Sequence, residues 1–152
     1  MPEPATAGVS PEVLRPRDNG QVTRTWAWLA AVVDIVLIVA FALIGRSSHA
    51  EASSVAGLWT TAYPFLAGWL VGYLIVRGWR RPLRLWPTGV VVWVATVAIG
   101  MLLRVLTGQG DVAGGPLPLS FVIVATVSLA VFLLGWRLLA GLVLRTGRRG
   151  RA

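Results

Sequence analysis

Four long apolar runs, separated by short polar stretches, dominate this chain of 152 residues. They cover approximately 26–44, 55–76, 88–106 and 117–144. Each reaches the ~20 residues that a helix needs to cross ~30 Å of hydrocarbon. In lipid the backbone must satisfy its own hydrogen bonds, so these runs predict helices and not strands. The pattern therefore predicts an all-α polytopic membrane protein, a four-helix transmembrane bundle over residues 25–145. Residues 1–24 contain Pro2, Pro4, Pro11 and Pro16 with few large apolar side chains, and read as a disordered cytoplasmic tail. Residues 146–152 form a second, basic tail. Small-residue sites near Ala50 raise signal-peptide cleavage, but the first run is longer than a usual h-region and carries Asp34 at its centre.

Composition narrows the chemistry. The chain is 56% hydrophobic and 13% charged, too apolar for a soluble domain of this size. Its net charge of +8 raises nucleic acid as a partner. The basic residues, all arginine, instead lie between the apolar runs, which is a membrane pattern and excludes a nucleic-acid face. Without cysteine there is no disulfide and no thiolate nucleophile, and a single histidine makes a zinc site improbable. The letters Gly108-Gln109-Gly110-Asp111-Val112-Ala113 match a dinucleotide fingerprint but follow a membrane helix and no strand, so no cofactor is expected.

Charge also predicts orientation. Arg15, Arg17 and Arg24 precede the first run, Arg77, Arg80, Arg81 and Arg84 fill the second connection, and Arg145, Arg148, Arg149 and Arg151 close the chain. The other two connections hold only Arg46 and Arg104 at their edges. The positive-inside rule puts both termini and residues 77–84 in the cytoplasm, with Trp26, Trp28, Trp79 and Trp86 as an inner aromatic belt. Arg77, Arg80, Arg81 and Arg84 are then expected to lie on anionic lipid headgroups, either as a topology determinant or as a specific lipid or partner site.

A few polar groups need a reason. Asp34 lies eight residues beyond Trp26, about 12 Å along the helix, on a face with Ala27, Ala30, Ala31, Ile38, Phe41 and Gly45. An ionised carboxylate there costs at least ~2.5 kcal/mol on insertion scales, so it should be paired or protonated. Arg137, at similar depth in the fourth run, is the expected partner in an intramembrane ion pair. A structural pair is favoured over a proton or cation path through Asp34. Gly68 and Gly72, with Gly100 on the third run, predict helix packing, and Pro64 predicts a kink or a cavity. Arg46, His49 and Arg104 fall at the outer ends of the first and third helices, where they would either be ordinary charged helix ends or form an anion-binding rim. No metal site and no catalytic constellation is expected; His49 is the only candidate base near neutral pH.

Phe65-Leu66-Ala67-Gly68-Trp69 matches Phe132-Leu133-Leu134-Gly135-Trp136 at an offset of 67, and the same offset sets Trp26 on Trp93. This suggests a parallel two-plus-two internal repeat. Asp34 in the first run, then Phe41-Ala42-Leu43-Ile44-Gly45-Arg46-Ser47-Ser48-His49, Pro64-Phe65, Trp93, Gly100-Met101-Leu102-Leu103-Arg104, Phe121 and Gly135-Trp136-Arg137 resemble a small prokaryotic four-helix membrane family of unknown function. The resemblance covers residues 23–144, and Gly-Arg-x-x-His is its most specific part. It implies the fold and supports the choice of residues, and brings no reaction. The expected location is the bacterial plasma membrane, with both termini cytoplasmic. The expected function is a small binding or transport module with an outward anion-binding rim. The alternative is an accessory membrane subunit without a small-molecule ligand. The size of the bundle suits a homodimer.

Overall fold

In the computed structural model, residues 19–47, 54–109 and 117–149 are described. They form four helices: α1 (Asn19–Ser47), α2 (Val55–Ile75), α3 (Val90–Leu106) and α4 (Leu119–Arg149). Four apolar stretches, Arg24–Arg46, Val55–Ile75, Leu85–Leu106 and Leu119–Leu144, are long enough to cross a membrane. The fold is thus an all-α, four-span membrane bundle. Side chains such as Trp28, Ile75, Leu139 and Val143 are half or more exposed along its outside, as lipid-facing positions should be.

The helices outrun the apolar stretches. α1 begins at Asn19, inside the segment expected to be a tail, and α4 continues to Arg149, past residue 145. Once a helix is nucleated, each further residue adds a backbone hydrogen bond, so polar flanks continue what the apolar run starts.

Packing closes a ring in which α1 touches α2, α2 touches α3, α3 touches α4 and α4 returns to α1. The tightest contact is α2 on α3. A Cβ added at Gly68 would stand 2.7 Å from the Ala95 carbonyl oxygen, and one at Gly72 2.7 Å from the Ala95 side chain. The two glycines thus let the α2 and α3 backbones meet, as small residues do between membrane helices. From α3, Gly100 makes room for Phe65, which is fully buried and packs edge-on against Phe41 of α1 at 5.3 Å. α2 runs unbroken through Pro64, whose ring is buried in the bundle.

The connection from α2 to α3 is ordered. Arg77 ends α2 in the left-handed region at φ 49°, a common way to close a helix. A 3-10 turn, Gly78–Arg80, follows, with Gly78 against the Tyr73 ring. A wide turn, Leu85–Gly89, contains the cis Trp86–Pro87 bond and leads into α3. This connection brings the Pro82 carbonyl under the centre of the bundle.

Candidate functional site

Asp34 and Arg137 meet in the interior. Both side chains are fully buried, and Arg137 Nη2 donates to Asp34 Oδ2 at 2.6 Å while Nη1 donates to Oδ1 at 2.8 Å. This is the parallel two-bond geometry that matches a guanidinium to a carboxylate. Two tryptophans complete the carboxylate: Trp136 Nε1 donates to Oδ1 at 2.9 Å and Trp69 Nε1 to Oδ2 at 3.1 Å. Four donors fill the acceptor capacity of one carboxylate.

Arg137 is equally well held. Nη1 also donates to the Leu133 carbonyl at 2.7 Å, and Nε donates to the Pro82 carbonyl at 3.2 Å. Its guanidinium lies 4.8 Å from the Trp136 ring centroid, a cation–π distance. Gly89 leaves space for the arginine stem, since a Cβ there would stand 3.0 Å from Arg137 Cδ. One pair therefore ties α1 to α4 directly, to α2 through Trp69 and to the second connection through Pro82. The Asp34 face of α1 is buried at Ala27, Ala30, Ala31, Ile38 and Phe41. Gly45, placed on the same face, is exposed.

This centre offers little chemistry. A carboxylate with four donors and no exposed surface has no free acceptor for a proton or a cation, and the arrangement is that of a clamp.

Of the residues of the expected outer rim, Arg46 and Arg104 are described. Arg46 donates to the Gly57 carbonyl at 3.1 Å and approaches Thr61 Oγ1 at 3.5 Å, both in the first turns of α2. Gly57 is open there for the guanidinium. Arg104 donates through Nη1 and Nη2 to Gln109 Oε1 and the Gln109 carbonyl, at 3.4 and 3.1 Å. Its guanidinium lies 4.7 Å from the Phe121 ring centroid, and Gln109 donates in turn to Tyr63 Oη at 3.1 Å. Gly57 and Thr61 lie on a face of α2 nearly opposite Tyr63, by the 3.6-residue turn. Helix α2 thus stands between the two arginines, and the contacts of the described residues do not join them. His49 lies outside the described residues, as do Glu51 and Asp111. No group of three or more potential metal ligands occurs among the described residues.

Several partners escaped sequence reasoning. Trp69 and Trp136 carry a signal that could have found them, because an indole N–H deep in an apolar helix needs an acceptor. They are also the two tryptophans matched at the offset of 67, and both reach Asp34. The third match does not follow: Trp93 donates to the Thr126 carbonyl at 3.1 Å, whereas Trp26 is 42% exposed. The shared contact is therefore no demonstration of an internal repeat.

The fold and its buried clamp define a class: a small polytopic membrane protein with an intramembrane ion pair and no catalytic cluster among the described residues. Residues 31–140 match the family model described as "Protein of unknown function (DUF3054)", and the chain belongs to that family. The match begins three residues before Asp34 and ends three after Arg137. No curated protein and no solved structure matches the chain.

Proposed function

We propose that this chain is a small membrane-embedded binding module whose anchor for an anionic group is Arg104, at the end of the bundle opposite residues 77–84. One observation carries the reading. The half-buried Arg104 guanidinium is held by Gln109 and Phe121, with no carboxylate among its described partners, and its Nε is buried without a hydrogen-bond partner. A guanidinium so held keeps its charge available to a ligand oxygen. Arg46 lies at the same end of the bundle, on α1, and His49 follows it in the chain. By the positive-inside rule this end faces outward.

The test is thermal unfolding of the purified protein in detergent against phosphate, sulfate, carboxylates and phosphorylated metabolites. A stabilising anion is expected, and Arg104→Ala should abolish its effect while Arg104→Lys keeps part of it. Equal stabilisation of wild type, Arg46→Ala and Arg104→Ala would remove the site.

A second reading, a structural or accessory subunit without a small-molecule ligand, is favoured by the completeness of the Asp34–Arg137 clamp. Such a clamp fixes four elements without a ligand. A stable partner in a detergent pull-down, with no response to any anion, would select this reading. Full stability of the isolated protein would count against it.

A further inference from the structure

At the arginine-rich end, α1, α2 and the 3-10 turn enclose a groove of about 740 Å³. That is within the ~300–1,000 Å³ range of small-molecule sites. Its floor is Ala27 and Ala31 of α1, and its walls include Trp28, Leu70 and Leu74. Arg24 and Arg80 also line it, and both are exposed. Among the described residues no carboxylate lines it.

The groove is preformed. Trp69 stacks on Tyr73 at 5.2 Å, Tyr73 meets Trp79 at 6.2 Å, and the Tyr73 hydroxyl donates to the Ala27 carbonyl at 3.3 Å. Trp69 is itself fixed by its bond to Asp34. Rigid aromatic walls lower the ordering cost of binding.

Charge and shape together select the occupant. From Arg24 to Ala31 the groove follows α1 for about 10 Å by helical rise, starting where the apolar span starts. That is too short a track for a partner helix, and it descends into hydrocarbon and not into water. We propose that the groove holds one anionic phospholipid, with its phosphate between Arg24 and Arg80 and an acyl chain laid over Ala27 and Ala31 beside Leu70 and Leu74. Guanidinium groups bind phosphate oxygens with two parallel hydrogen bonds, and the small residues of α1 leave the depth that a methylene chain fills. This differs from diffuse attraction of the whole basic connection to a charged surface, because two arginines and a channel of fixed shape are required. It is also independent of the Arg104 site, which lies at the opposite end.

Native mass spectrometry tests it, with the protein released from nanodiscs of phosphatidylcholine containing a minor fraction of phosphatidylglycerol. Wild type should retain one phosphatidylglycerol in excess of the neutral lipid. The double variant Arg24→Gln/Arg80→Gln should lose that excess. The variant Arg81→Gln/Arg84→Gln, which removes the same charge from exposed positions outside the groove, should keep it. Leu74→Trp, at a half-exposed position, should also lose it by filling the channel with no change of charge. The site is overturned if wild type shows no excess, if the two arginine double variants lose it equally, or if Leu74→Trp retains it.

Discussion

Asp34 receives four hydrogen bonds, and that number decides what each substitution does. Arg137→Leu leaves a buried carboxylate with only two indole donors. Asp34→Asn removes the countercharge and turns an amide N–H₂ toward groups that are themselves donors. Each should destabilise the bundle by about 3–5 kcal/mol, the usual result of breaking a buried pair from one side. Replacing both, as Asp34→Leu/Arg137→Met, should recover most of the loss, since apolar isosteres often match a buried pair. Exchanging the charges should not recover it. An arginine at 34 would face the Trp69 and Trp136 N–H groups, and an acid at 137 would face the Leu133 and Pro82 carbonyls. Unfolding titrations in mixed micelles measure all four variants; single losses within the ~1 kcal/mol of an exposed pair would show that water reaches the carboxylate. The two charges are legible in the sequence because an ionised group inside an apolar run is too costly to be incidental. Their other partners are less so. A tryptophan adds to the apolar count whichever way its N–H points, and a backbone carbonyl such as that of Pro82 leaves no trace in residue type.

The seam between α2 and α3 is an element-scale property. Two glycines one helical turn apart announce a close contact, yet the spacing says nothing of which helix is met. Here it is α3 of the same chain, so this face is used internally and is not offered to a partner. Gly68→Ala would drive a methyl group against the Ala95 and Thr96 carbonyl oxygens, at 2.7 and 2.9 Å. Those are backbone atoms, so the helices must separate, at a cost in the ~1–3 kcal/mol range of overpacking. Gly135→Ala, in the matched segment of α4, would meet nothing within 4 Å and should cost no stability. Comparing the two in one unfolding assay separates helix contact from any general effect of glycine; equal losses would place the seam elsewhere. Pro64 lies inside α2, which continues through it, and its ring is buried.

At the scale of the molecule, the bundle has two unlike ends. One end carries Arg24 and the ordered connection with Arg77, Arg80, Arg81 and Arg84, flanked by the exposed rings of Trp28, Trp79 and Trp86. The other carries Arg46 and Arg104, each bonded to groups of the chain. The four spans and their alternation were readable from apolar length alone. Which side of α2 Arg46 and Arg104 each face was not, because helical spacing puts residues at an end of the bundle without telling that. The charge asymmetry predicts that the Arg77–Arg84 end faces the cytoplasm and the Arg104 end faces outward. The absence of native cysteine makes this simple to check, since one introduced thiol is the only one present. Thr107 and Arg81 are exposed at opposite ends and suit the purpose. In intact cells a membrane-impermeant maleimide should label Thr107→Cys at once, and should label Arg81→Cys only after the membrane is permeabilised. The reverse pattern would invert the molecule and move the phospholipid groove to the outer leaflet, with Arg104 then facing the cytoplasm. Labelling of both in intact cells would mean mixed insertion, in which case the arginines of the second connection do not set the topology.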